Sequence, residues 1–266
     1  MTMRTKSQSM NNEHEFLKLF CVTITDYASS MLECGALSST IEDSVHRISD
    51  EYGIKTDVSI LPRRVLIAIW TIDQEHSYNN IGRTIKHGIN ISKVVELSQL
   101  ASEVEATHMS ISDLQEKIRL INSETRMNPN LVLVLTAMAN ASFCRLFGGD
   151  AIAMGIVFVA TLCGFLIKQK MLKNKFDGRL TTFASAIIAA IISSCGIAYG
   201  WSETPHTALA TSVLFLVPGI PFLNAMGDML RGHHLCTVSR IAEAIITTAC
   251  LSLGLCLAML LMNIEW

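Results

Sequence analysis

Apolar residues recur every three or four positions between residue 13 and about residue 33, at Phe16, Leu19, Phe20, Val22, Ile24, Tyr27, Met31 and Leu32. This spacing predicts an amphipathic helix, and Gly35 fits its C-cap. Ser38-Ser39-Thr40-Ile41-Glu42 reads as a capping box opening a second helix to about Tyr52, with Gly53 as its stop. The period then shortens. Residues 56–61 and 65–71 are short β-branched runs separated by Pro62-Arg63-Arg64. They predict two strands of an antiparallel sheet, with a third inside 77–86. Helical spacing returns from Ile91 to about Glu105 and again over 110–122. Residues 1–12 are polar and are expected to be disordered.

Beyond Asn128-Pro129-Asn130, a turn-forming punctuation, the pattern becomes a series of apolar runs. They cover 131–147, 151–167, 180–201, 208–226 and 243–263. Each is near the ~20 residues that span a hydrocarbon core. The first two are joined only by Gly148-Gly149-Asp150, which predicts a tight helical hairpin. The fold class expected is a membrane α-helical bundle of five transmembrane helices, the fourth broken, preceded by a cytoplasmic α+β domain. The domain boundaries are 1–12, 13–128 and 129–266.

Charge sharpens this division. Of 44 charged residues (21 basic, 23 acidic), 30 lie before residue 131 and 14 after it. Half the 266 residues are hydrophobic and the mean hydropathy is +0.39, too apolar for an ordinary soluble protein. The near-zero net charge gives no argument for nucleic acid as a partner. The basic stretch 168–179 (Lys168, Lys170, Lys173, Lys175, Arg179) is expected on the cytoplasmic side. With five spans this puts the N-terminus inside and the C-terminus outside, with Trp201 and Trp266 as interfacial anchors. Residues 1–30 lack the pattern of a signal peptide.

The fourth run carries the candidate chemistry: Val217-Pro218-Gly219-Ile220-Pro221-Phe222-Leu223-Asn224-Ala225-Met226-Gly227-Asp228. Proline removes a backbone donor and clashes with the preceding turn. Lipid cannot satisfy the carbonyls this frees, so such breaks sit inside protein or beside water, as in transporter substrate sites. Pro218, Gly219 and Pro221 mark the break. Asn224, Asp228 and Arg231 follow at intervals of four and three, roughly on one helical face. The N–H groups after Pro221 would suit a substrate carboxylate, and Asp228 an ammonium group or a proton. The alternative is that Asp228 and Arg231 pair with each other at the inner membrane surface. Asn140 is a further candidate, because a buried amide is costly to leave unpaired. The serines and threonines within the runs read as helix–helix packing, as does Gly196-x-x-x-Gly200.

Eight scattered cysteines show no Cys-x-x-Cys or zinc-type spacing, and His233 and His234 lack companions that would complete a metal site. No metal and no cofactor is expected. No P-loop, dinucleotide or Gly-x-Ser-x-Gly motif is present. The spacing of His46, Asp57, Asp73, His76 and His87 supports no catalytic set.

From about residue 14 to 262 the chain resembles the N-terminal half of the bacterial threonine/serine exporter family. The matching pieces are Cys34-Gly35-Ala36 followed by Ile41-Glu42-Asp43-Ser44-Val45, Arg83, Gly88-Ile89-Asn90-Ile91 leading to Lys93, and Asp177-Gly178-Arg179. The most specific piece joins Val217-Pro218-Gly219-Ile220-Pro221 to the run Asn224 through His233. The resemblance implies a proton-driven secondary exporter of small polar metabolites in the bacterial inner membrane, not an enzyme. Its substrates would be threonine/serine-type amino acids or dicarboxylates such as succinate. Single-chain members continue into a second membrane half. This chain therefore resembles the large subunit of a two-component exporter, whose partner is a small, separately encoded membrane subunit, and oligomers are expected. Leu37-Ser38-Ser39 departs from the acidic and aromatic residues often found there. The competing reading is a membrane-anchored metabolite sensor that binds its ligand within 14–126. A membrane-bound hydrolase would need an activated nucleophile, and none is visible.

Overall fold

A computed structural model describes residues 3–71, 77–84, 88–124 and 127–264, with side chains from residue 14 onward. Asp73, His76, His87 and the expected anchor Trp266 lie outside the described residues. The chain separates into two compact units, Met1–Thr125 with Leu223–Arg240, and Arg126–Phe222 with Ile241–Trp266. The first boundary falls beside the charge transition read from the sequence. The second assigns 223–240 to the N-terminal unit, where the sequence had put everything after 129 together.

The first unit opens with α1 (Met3–Glu33) and α2 (Ser38–Glu51). Helix α1 starts ahead of the apolar periodicity, within the segment expected to be disordered. Strands β1 (Lys55–Leu61), β2 (Arg64–Trp70) and β3 (Ser77–Arg83) form an antiparallel sheet in the order β1-β2-β3. Val58 pairs with Ile67 and Ile67 with Asn80. Alternate residues Val65, Ile67 and Ile69 point inward, the period of two that a half-buried strand requires. They pack against Phe20, Ile24, Tyr27 and Met31 of α1 and Ile41, Val45 and Ile48 of α2. Helices α3 (Ile91–Thr107) and α4 (Ile111–Ser123) complete the core through Leu97, Leu100, Val104 and Leu114. Asn90 and Ser110 cap them with side-chain oxygens on the Lys93 and Asp113 N–H groups.

The second unit is built on α5 (Pro129–Leu146), α6 (Ala151–Lys173) and α7 (Gly178–Ala198). Next along the chain come α8 (Pro205–Ser212), a 3-10 turn (Leu214–Leu216), α9 (Gly219–Leu230) and α10 (His234–Leu261), the last two contributing 223–240 to the first unit. Pro129 starts α5 with fixed φ at a position that needs no donor. Asp150 caps α6 through the Ala153 N–H, 2.8 Å away. Its carboxylate also accepts from Ser202 and Thr204 hydroxyls at 2.7 and 3.1 Å, joining two turns. Alanines 186, 189 and 190 line the buried side of α7. The Gly196–Gly200 pair does not act as one motif. A Cβ at Gly196 would lie 2.7 Å from Ile156, a close helix approach, whereas Gly200 faces open space at φ +61° and ends the helix.

Among the described residues, helices α5, α6, α7 and α10 are long and apolar enough to cross a membrane; counting the bent pair α8–α9 as one span makes five. The two limbs of that pair differ in direction by 61°. The break is narrower than the sequence suggested. Helix α9 resumes at Gly219, so Pro221 lies in its first turn, where its missing N–H costs nothing. The restart accordingly offers fewer free donors than expected, since the Gly219 N–H donates to Val217 O at 2.9 Å and the Phe222 N–H to Pro218 O at 3.3 Å. At the far end α10 begins at His234 and carries Arg240.

Candidate functional site

Asp228 closes the last turns of α9 and is wholly buried. The helix stops two residues later because Gly232 takes φ +83°, with the His233 N–H returning to Asp228 O at 2.9 Å. This corner carries three polar side chains back onto the α1–α2 turn. The Asn224 amide donates to Gly35 O at 2.7 Å. Arg240 Nη2 donates to Ala36 O at 2.7 Å. The Ser38 N–H donates to Asp228 Oδ1 at 3.0 Å. Asp228 Oδ2 stands 3.3 Å from Arg240 Nε, in ion-pair range.

The geometry overturns the expected capping box. Ser38 is already the first residue of α2, its N-cap is Leu37, and no side chain of the α1–α2 turn caps the helix. The cap comes from Asp228, distant in sequence, whose negative charge suits the positive end of the α2 dipole. Beside it Glu42 Oε2 lies 3.3 Å from His233 Nε2. The Cys236 thiol donates to Ile60 O at 3.4 Å.

Three buried polar atoms here have no hydrogen-bond partner: Ser38 Oγ, Asp228 Oδ2 and Arg240 Nη1. Arg240 is only 17% exposed. Unsatisfied buried groups of this kind are rare in native proteins and mark strain or a site of function. The cluster contains an anion-binding set, a guanidinium beside a helix N-terminus, facing a carboxylate that fills it.

The structure thus brings Asn224 and Asp228 together and adds Arg240 of α10, which the sequence motifs do not single out. The available signal for Arg240 is its place at the head of the apolar run from Ile241, where a cation needs a partner. Arg231 is not the partner of Asp228. Helix α9 ends at Leu230, and Arg231 is exposed in the turn. Pro218, Gly219 and Pro221 shape the break, Pro218 just before α9 and the other two within its first turn.

Asn140 belongs to the second unit and is buried there. Its Nδ2 donates to Thr161 Oγ1 at 2.7 Å and to Thr211 O at 3.1 Å, tying α5 to α6 and α8. On α7 the hydroxyls of Ser185, Ser193 and Ser194 are buried without partners. Among the described residues no group of three His, Cys, Asp or Glu side chains could hold a metal ion.

Residues 23–262 match the family described as "Putative threonine/serine exporter". The chain is 25% identical over 253 residues to the "Probable succinate transporter subunit YjjP" of Klebsiella aerogenes, covering 95% of this chain and 96% of that one. It is 25% identical over 233 residues to the protein of the same name from Escherichia coli strain K12, covering 86% and 89% respectively. No solved structure matches.

Proposed function

This chain belongs to the threonine/serine exporter family, and from that premise we propose that it is the large subunit of a two-component, proton-coupled exporter of small carboxylate-bearing metabolites. It is a transporter, not an enzyme, and it exports small metabolites. The related proteins are named as succinate transporter subunits, which favours a dicarboxylate such as succinate, or a threonine-like amino acid, and a separately encoded membrane partner. The bent α8–α9 pair serves as one span, giving five in all. The basic segment 168–179 faces the cytoplasm, and the N-terminal α+β unit lies on that side in the bacterial inner membrane.

The observation that carries this reading is Asp228, a fully buried carboxylate on the half-helix after the break. Its bonds hold the α9–α10 corner against the α1–α2 turn. Protonating Asp228 would remove the charge that binds Arg240 and the α2 N-terminus, releasing the corner. The groups facing it are Arg240 and Cys236 of α10 and the Ser38 N–H of α2. Glu42 and His233 pair with each other next to it.

The test is efflux of threonine, serine and succinate from loaded cells carrying the chain with and without its partner. Partner-dependent efflux of one of them, lost in Asp228→Asn, is expected. Unchanged flux in Asp228→Asn at normal membrane level would sink the assignment of this site. The sensor reading retains one supporting observation, an open polar groove of about 590 Å³ in the N-terminal unit. It is lined by residues including Asp26, Ser29, Arg83, Arg119 and Asn122.

A further inference from the structure

We propose that the place now filled by the Asp228 carboxylate is the binding site for a carboxylate of the exported metabolite, kept closed by the protein's own side chain. This deepens, and rests on, the exporter reading. A guanidinium and the N-terminus of α2, a helix of 14 residues, converge on one point. Both recognise carboxylates in general, the first through its fork of donors and the second through free N–H groups and dipole. Asp228 occupies that point imperfectly. Its two oxygens are divided between Ser38 N and Arg240, and Oδ2 makes no hydrogen bond. Arg240 Nη1 and Ser38 Oγ, both buried, are left with donors unused.

A free carboxylate is not tethered to α9 and can approach Arg240 side-on, taking Nε and an Nη together. It would also reach the Ser38 N–H and hydroxyl. The same recognition suits one end of a dicarboxylate or the carboxylate of an amino acid. When the ligand arrives Asp228 takes up one proton and leaves as a neutral acid, so the charge in the site is unchanged. A site occupied by its own protein binds ligand more weakly by the fraction of time it is free.

The experiment is carboxylate rescue of the full-length Asp228→Ala protein in detergent. Thermal unfolding is followed with sodium acetate or succinate, against sodium chloride at equal ionic strength and methylammonium chloride. Acetate or succinate at about ten times its dissociation constant is expected to raise the midpoint of Asp228→Ala by about 4 °C. Chloride and methylammonium should not, and wild type should respond less. Adding Arg240→Gln should abolish the response. Equal stabilisation by all salts, or a response that survives Arg240→Gln, overturns the proposal. If Asp228→Ala does not fold, Asp228→Asn is used with labelled succinate. Its affinity should then be at least about tenfold tighter than wild type, as expected if wild type is closed about nine-tenths of the time. Weaker binding than wild type would make Asp228 itself a ligand contact and overturn the proposal. Failure here leaves the efflux test of the exporter reading untouched, and absent efflux with intact rescue would fault the exporter reading alone.

Discussion

Replacing Arg240 by glutamine removes a charge from beside a carboxylate that has no access to water. At 3.3 Å the pair attracts by about 5 kcal/mol for an effective dielectric of ~20. Most of that offsets the desolvation of the two ions, so the intact pair adds little net stability. Breaking it is different, because one buried charge is then uncompensated, at about 3–5 kcal/mol. The lost bond from Nη2 to Ala36 O adds about 1 kcal/mol. Taking about 5 kcal/mol in all, and about 2–4 °C per kcal/mol, the midpoint should fall by roughly 10–20 °C. Unfolding of a membrane protein is often irreversible, so the midpoint is best read as monodisperse protein surviving a heating series in detergent. A double-mutant cycle with Asp228→Asn isolates the pair. Removing both charges should cost less than the sum of the single changes by about 2–3 kcal/mol. A fall of less than about 2 °C in Arg240→Gln, or strict additivity in the cycle, would refute an ionised, buried pair.

Asn140→Leu should destabilise by about 1–3 kcal/mol, since it strands Thr161 Oγ1 among apolar helices and leaves the Thr211 carbonyl with the Val213 N–H alone; the same heating series reads it. Gly82→Ala puts a Cβ 2.0 Å from Ser29 Oγ and 2.9 Å from Thr25 Cγ2. The serine can rotate away, but the β-branched threonine cannot, so a loss of about 1–3 kcal/mol is expected, with a lowered midpoint as the readout. The Asp150 carboxyl is held down to about 2, chiefly by the Ser202 hydroxyl, with help from the Ala153 and Glu203 N–H groups and the Thr204 hydroxyl. A depressed carboxyl stabilises above its unfolded value of 3.8, and that contribution is lost as pH falls through about 2. Asp150→Ala should therefore lower the midpoint at neutral pH, and the gap to wild type should close as acid is added.

The local elements were legible because each rests on a short-range signal. The β-branched runs on either side of Pro62-Arg63-Arg64 became β1 and β2, and the third expected strand lies at Ser77–Arg83. The helical spacing from Ile91 and over 110–122 became α3 and α4. Errors arose where a long-range contact overrode a local rule. Ser38-Ser39-Thr40-Ile41-Glu42 has the composition of a capping box, yet Asp228 caps the helix, which frees Ser38 to be helical. Arg231 has the right helical interval to meet Asp228, but Gly232 ends α9 too early for that face to continue. Helix spacing alone could not disclose Arg240, because its approach to Asp228 depends on a turn and a change of direction between two helices.

The pieces that resemble the exporter family gain a physical reason from the same contacts. Cys34-Gly35-Ala36 and the run from Asn224 lie far apart in sequence, and neither has an obvious role alone. In the folded unit Asn224 binds Gly35 O, Arg240 binds Ala36 O and Asp228 binds the next free N–H, at Ser38. These backbone groups would otherwise be buried without partners, at a cost of about 1–3 kcal/mol each. The turn and the half-helix are thus one polar assembly, and Asp228 is its one acidic member. A neutral clamp could not hold the turn equally well, for an asparagine in place of Asp228 would leave Arg240 buried beside no counter-charge. Nor could asparagine balance Arg240 in one state and surrender that balance on taking up a proton. On the exporter reading proposed above, the charge at position 228 would serve twice, balancing Arg240 while the corner holds and giving it a means to open.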